Sequence, residues 1–248
     1  MTSAVVFVTG TPELFGEEIR TISIADLEDG KIVRLVDYWD GRGFGAELAG
    51  SLRVPADSYP HDLGVSTVTS RPGPVATAAR ELSAAFAAGD ADRAGELFSY
   101  DAVFEDMALR TQLRGQAAIV RYLRRALPGL PYARASVRHV AGAGRGGGYE
   151  WRADGQPVAV GAAALELSQD GTITKFTVVW DGSLLDDRAI TALGAAAVDK
   201  LPSALNRTAP GQVALAAACQ NLFARTGEGL VLADAPEPLV PCTGRGRR

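Results

Sequence analysis

The chain of 248 residues is poor in the residue types that make metal sites, disulfides and membrane spans. It has two cysteines, Cys219 and Cys242, both late in the chain and not at metal-ligand spacing. That excludes a disulfide framework and a zinc cluster. The two histidines, His61 and His139, are too few and too isolated for a zinc site. No apolar run approaches the roughly 18 residues of a membrane helix, so no membrane partner is expected. The formal net charge is −4 and the arginines are scattered, which argues against a nucleic-acid binder. The start, Met1 to Val8, lacks the basic lead of a signal peptide and reads as a β-strand. A reducing cytoplasm is the expected compartment. With 47% hydrophobic and 22% charged residues, the chain is suited to a packed core.

Apolar stretches at 4–8, 19–27 and 31–39 are separated by Thr9-Gly10-Thr11-Pro12 and Glu28-Asp29-Gly30-Lys31. Asp-Gly between two apolar runs signals a hairpin, so a small antiparallel meander is expected. From Gly41 to Gly73 glycine, serine and aspartate dominate, with breakers at Pro55, Pro60 and Pro72. This reads as a linker with one helical turn near Ala46–Leu52. Val75, Ala79, Leu82 and Phe86 recur at helical spacing. Gly89 can end that helix, and Asp90 can cap a second one over 91–98. A strand follows at 102–106. A helix is expected over 116–127, with Ile119, Tyr122 and Leu123 on one face. Four strands are then expected near 133–141, 148–153, 157–168 and 172–181. Helices grouped ahead of a meander mean α+β, with a strongly curved antiparallel sheet wrapped around the helices.

One stretch occurs twice. Asp29-Gly30-Lys31-Ile32 through Trp39-Asp40-Gly41 matches Asp170-Gly171-Thr172-Ile173 through Trp180-Asp181-Gly182 at an offset of 141 residues. Upstream, Ala25-Asp26-Leu27 matches Leu165-Glu166-Leu167 after a one-residue gap. A repeat of this period suggests tandem domains rather than a solenoid. The first copy lacks its helices. The run Val213 to Phe223 is helical in pattern, loosely resembles Val75 to Phe86, and could dock on the N-terminal strands or start a third, unfinished copy.

The residues Ala87-Ala88-Gly89-Asp90, Leu97-Phe98, Asp101 to Asp106, Arg114-Gly115, Ile119 and the closing Asp170-Gly171…Trp180-Asp181 resemble the SnoaL-like polyketide-cyclase family. That family belongs to the nuclear-transport-factor-2-like superfamily, with ketosteroid isomerase and limonene epoxide hydrolase. The resemblance implies a cone-shaped domain at 74–184, preceded by a partial copy at 1–45 and a linker at 46–73. A helical extension with a flexible tail follows at 185–248. It also implies a hydrophobic pocket, no cofactor and no metal. Dimerisation through the sheet is common in the family, and a homodimer is expected on that ground. In the isomerase pattern the carboxylate ending the first strand is the general base, which falls on Asp106. The family's two oxyanion donors fall on Leu82 and near Ala163, so both are missing here. In the epoxide hydrolase pattern a catalytic Asp falls on Val178 in the complete copy, and on Asp37 in the fragment.

Proton transfer by Asp106 needs a carboxylate partly sheltered from water. The plain alternative is a solvated acid at a strand end. Trp180, Val178 and Phe176 share one strand face and would line the pocket together with Leu82, Phe86 and Tyr122. Each could equally be ordinary core. Trp39 is the fragment's counterpart of Trp180. His139 reads as a hydrogen-bonded structural histidine, and Asp40 and Asp181 as caps. Which neighbour of Trp151, Glu150 or Arg152, faces inward stays open. Two readings stand. The first is a binder of a small polyketide- or steroid-like molecule that catalyses cofactor-free isomerisation, cyclisation or hydrolysis through Asp106. The second is a non-catalytic ligand-binding or assembly domain with a vestigial pocket.

Overall fold

A computed structural model describes residues 2–44, 51, 73–198 and 230–232. The expected turn at Ala46–Leu52, save Ser51, and the run Val213–Phe223 lie outside them, as do His61, Cys219 and Cys242.

The first strands form as their turns dictate. β1 (Thr2–Gly10), β2 (Ile19–Glu28) and β3 (Lys31–Tyr38) make a three-stranded antiparallel sheet, with a short helix α1 (Pro12–Phe15) between β1 and β2. Asp29 and Gly30 both take positive φ, 49° and 75°, which a tight two-residue hairpin turn needs.

The main body begins with α2 (Pro74–Ala87) and α3 (Ala91–Glu96). Pro74 opens α2, Gly89 turns left-handed at φ 68° after it, and the Asp90 carboxylate accepts the Arg93 N–H at 2.9 Å to cap α3. The second helix is shorter than its spacing suggests, because Phe98 already belongs to a strand. There follow β4 (Phe98–Asp106), β5 (Thr111–Arg114), α4 (Gln116–Ala126), β6 (Ser136–Ala143), β7 (Gly146–Arg152), β8 (Val160–Leu167) and β9 (Ile173–Trp180). Then come α5 (Asp187–Ala196) and β10 (Leu230–Leu232). The seven strands are ordered β10-β5-β4-β9-β8-β7-β6.

The architecture is α+β with a curved sheet, but that sheet is mixed rather than antiparallel. β4 pairs parallel with β9, and β10 parallel with β5. The reason is topological: β4 and β9 are joined by a long crossover through α4 and four strands, β5 to β8, not by a hairpin. One face of the sheet carries Ala163, Leu165, Phe176, Val178 and Trp180 and packs on Leu82, Phe86, Ile119, Tyr122 and Leu123 from α2 and α4.

The other face of the sheet is covered by the chain's own N-terminal sheet. Ile22, with Val5 and Tyr38, packs on Ala162, Ala164 and Val179. That face of the sheet is therefore occupied from within the chain. A buried ionic network ties the layers together. Asp26 accepts from Ser3 Oγ at 2.7 Å and lies 2.8 Å from His139 Nε2. Arg34 donates to Glu150 at 2.6 and 2.9 Å and stands 3.5 Å from Asp26, and Tyr38 donates to Glu150 at 2.7 Å. Burial works against the Arg34 charge, but Glu150 and Asp26 outweigh it and hold the guanidinium protonated. Burial beside Glu150 pushes the Tyr38 phenol up.

The two sheets share details. Register slips at Asp26/Leu27 in β2 and at Glu166/Leu167 in β8, the same place in each repeat. The pairs Ser23↔Asp37 and Ala25↔Leu35 correspond to Ala163↔Val178 and Leu165↔Phe176. At the ends, Asp40 Oδ1 accepts the Gly182 N–H at 3.1 Å, while Asp181 Oδ1 accepts the Gly41 N–H at 3.0 Å. Each carboxylate also accepts the N–H two residues on, from Arg42 and Ser183. A methyl at Gly41 would meet Asp181 Oδ1 at 2.7 Å, and one at Gly182 would meet Arg42 Nε at 2.6 Å and Asp40 Oδ1 at 2.9 Å, so either would have to push these side chains aside.

Candidate functional site

β4 ends inside the cone, and its last residue is Asp106, fully buried. Its Oδ1 accepts the Leu109 N–H at 3.0 Å. Its Oδ2 accepts from Tyr132 Oη and from Trp180 Nε1, both at 3.1 Å. Burial dominates and pushes the carboxyl up to about 6, although these hydrogen bonds favour the charged form. The side chain therefore titrates near neutral pH, as an acid/base requires.

Tyr132 sits on a 3₁₀ turn, Pro131–Arg134, that Pro131 opens. Its ring lies 5.9 Å from Phe86, 6.1 Å from Trp151 and 6.3 Å from Phe176. Its phenol is raised by burial and by the Asp106 charge, so it stays a donor. Tyr122 is raised for the same two reasons. The Tyr122 hydroxyl and the Trp151 indole N–H are both buried without a hydrogen-bond partner. Orphaned donors of this kind are uncommon in a folded interior. Gly161, directly across from Trp151, lacks a side chain where the indole lies.

The structure brings Asp106, Trp180, Val178, Phe176, Tyr122, Leu82 and Phe86 into one buried cluster. It does so without an open mouth. Phe176 stacks on Phe104 at 5.0 Å and meets Phe86 at 6.2 Å and Phe98 at 6.4 Å, and the side chains around Asp106 are essentially closed to solvent. A groove of about 430 Å³ does lie elsewhere, between β1 and the outer face of β6–β9, lined by Val5, Phe7, Glu166 and Lys175 among others.

Asp37 and Trp39 are not part of the buried cluster. Asp37 is exposed on β3, in a sheet with no described helix over that face, so it lacks the shelter a catalytic carboxylate needs. Trp39 is 40% exposed and packs edge-on against Phe44. Glu150 faces the N-terminal sheet, Trp151 the cone, and Arg152 the solvent beside Asp154. Tyr132 was missed from sequence because it lies between Pro131 and a strand, in a stretch whose main signal is a helix stop. Among the described residues no cluster of three or more His, Cys, Asp or Glu could hold a metal ion. No helix among them is long and apolar enough to cross a membrane.

Residues 79–180 match the family model described as a SnoaL-like domain. No curated protein matches the chain. Among solved structures, a steroid delta-isomerase from Pseudomonas aeruginosa is 19% identical, with 51% of this chain and 90% of that chain covered and a TM-score of 0.38. A SnoaL-like protein from Burkholderia thailandensis is 16% identical, covering 46% and 100%, with a TM-score of 0.39. A de novo designed protein with a curved β-sheet is 15% identical, covering 48% and 93%, with a TM-score of 0.40.

Proposed function

We propose that this chain, which carries a SnoaL-like domain over residues 79–180, uses that domain to bind a small hydrophobic molecule of polyketide or steroid type and to move a proton on it through Asp106. The observation that carries the reading is Asp106 itself: a fully buried carboxyl poised near pH 6 at the inner end of a strand. The orphaned Tyr122 hydroxyl and Trp151 N–H support it. They are donors with no acceptor, and a ligand carbonyl would supply one. They also offer what Leu82 and Ala163 cannot, stabilisation of an oxyanion formed as Asp106 takes a proton from the adjacent carbon. Isomerisation, cyclisation and hydrolysis all suit such a pair. The sealed aromatic interior supports a second reading, a non-catalytic domain whose pocket is vestigial.

The same reading treats 1–45 as a partial second copy of the domain at 74–184, with 46–73 as linker and 185–248 as extension. The shared bulge position and the reciprocal Asp40–Gly182 and Asp181–Gly41 bonds support it. The scarcity of cysteine supports a cytoplasmic location.

The test is turnover of unsaturated steroid ketones and aromatic polyketides by wild type and by Asp106→Asn, followed by ultraviolet absorbance. Asp106→Asn is expected to lower kcat by about 10²–10⁴-fold while circular dichroism is unchanged. Equal turnover would remove Asp106 from the chemistry, and no turnover or binding by wild type would leave the second reading.

A further inference from the structure

The hydrogen bonds to Asp106 divide unequally between its two oxygens. Oδ2 accepts from Tyr132 Oη and from Trp180 Nε1, both at 3.1 Å. Among the described residues, Oδ1 accepts from the Leu109 N–H at 3.0 Å. A carboxylate oxygen offers about two lone-pair positions. Both on Oδ2 are therefore filled, and a position on Oδ1 is left for a reacting proton.

Tyr132 is held in this place from several sides. Pro131 opens its 3₁₀ turn, and Ser83 Oγ of α2 donates to the Ala135 carbonyl at 2.8 Å just beyond it. Phe86, Trp151 and Phe176 surround the ring, and the residue is buried. The hydroxyl cannot leave Oδ2 without repacking those rings. The Trp180 indole, carried by β9, is a donor only.

We infer that Tyr132 is the positioning residue of this site: together with Trp180 it fills Oδ2 and so directs proton transfer to Oδ1. The inference rests on the reading of Asp106 as the acid/base. When the carboxylate takes a proton from a ligand carbon, the C–H bond breaks and an O–H bond forms at Oδ1. The electron pair passes to the ligand's carbonyl, giving an enolate. The carbonyl of the resulting acid is Oδ2, where the Tyr132 and Trp180 hydrogen bonds remain. Return of the proton from Oδ1 to a second carbon completes an isomerisation with no net change in protons.

Other titratable groups face Asp106. Tyr122 of α4 is held protonated by burial, as Tyr132 is. The Arg42 guanidinium donates to the Ala108 carbonyl and is favoured by the Asp106 charge. From α2 and β9 come apolar side chains and the Trp180 indole. None of these changes protonation near pH 6, so a titration there belongs to Asp106.

The carbonyl stretch of protonated Asp106 reports which oxygen holds the proton, and needs no substrate. Difference infrared spectra of the full chain, taken below and above the Asp106 midpoint, should show a band that Asp106→Asn lacks. Hydrogen bonds to a carbonyl oxygen lower its stretching frequency. Tyr132→Phe keeps the ring and removes one donor from Oδ2, so it is expected to move the band to higher wavenumber, and Trp180→Phe likewise. A band unmoved by Tyr132→Phe would put the proton on Oδ2 and overturn the inference. Tyr132→Phe should also raise the Asp106 midpoint by about one pH unit, because the lost bond favoured the charged form. The acid limb of the kcat/KM profile should rise with it, and a limb that stays in place would count against the role of Tyr132. A moved band without turnover by wild type removes the proton-transfer reading and leaves the hydrogen-bond pattern standing. Turnover with an unmoved band removes the role of Tyr132 alone.

Discussion

The three N-terminal strands and the β8–β9 hairpin share a pairing register, a bulge position and a closing Trp-Asp-Gly, yet the same face of each meets a different environment. In the main body that face carries Ala163, Leu165, Phe176 and Val178 and is buried under α2 and α4. In the N-terminal sheet it carries Ser23 and Ala25, which are buried on the central strand, and Leu35 and Asp37, which stand exposed on β3. Register is therefore set locally, by turn and bulge, whereas the chemistry of a face is set by what later covers it. A carboxylate follows the same rule. Asp106 is raised because β4 ends inside a helix-covered cone, and the N-terminal sheet, with no counterpart of β4 among its strands, leaves Asp37 in the open.

Equivalent truncations give the largest contrast. Phe176→Ala empties a site ringed by Phe86, Phe98, Phe104 and Tyr132 and should cost about 3–5 kcal/mol in urea unfolding. Leu35→Ala, at the matching place, should cost about 1 kcal/mol, because less of the side chain leaves water on folding. Equal costs would mean that the two faces are equally buried in solution, and the comparison would fail.

Much of this was legible in the sequence because it is encoded over short distances. The Asp29-Gly30 hairpin, the Gly89 stop, the Asp90 cap and the apolar stripe through Leu82 and Phe86 each depend on residues within a few positions. The likeness of the stretches 29–41 and 170–182 was legible for the same reason, as was Asp106 at its strand end. What could not be read was pairing between remote segments. The parallel β4–β9 ladder, the short β5 and the seating of the N-terminal sheet on Ala162, Ala164 and Val179 have no local signature. Glu150 and Arg34 are ordinary charges until the two sheets meet. In the site, Phe176 and Trp180 were assigned to a pocket wall from alternation alone, which gives the face but not whether that face encloses space.

Acidity offers the next contrast. The Asp106 carboxyl is near 3.8 when unfolded and about 6 when folded, so the folded state holds the extra proton between those values. Its stabilising effect is full below pH 3.8 and is lost as pH rises through 6. The loss should be on the order of 3 kcal/mol between about pH 4 and pH 8, seen as a fall in the urea midpoint. Asp106→Asn should remove that component of the slope and equal or exceed wild type in stability at about pH 8. Asp37→Asn, at the exposed position, should shift stability by less than about 0.5 kcal/mol. A wild-type slope that survives Asp106→Asn would locate the titration elsewhere.

The smallest effect tests what joins the two regions. Asp40 and Asp181 each accept one N–H from the other repeat and one from two residues ahead in their own. A twofold relation makes such contacts reciprocal. Asp40→Ala and Asp181→Ala should therefore each cost about 1 kcal/mol and differ by less than about 0.5 kcal/mol. The double variant should cost less than the two singles together if losing one bond loosens the closure that holds the other. If instead one aspartate proves dispensable while the other costs the full amount, the closure is a one-sided cap that happens to touch a neighbour, and the likeness of the two sheets ends at their hairpins.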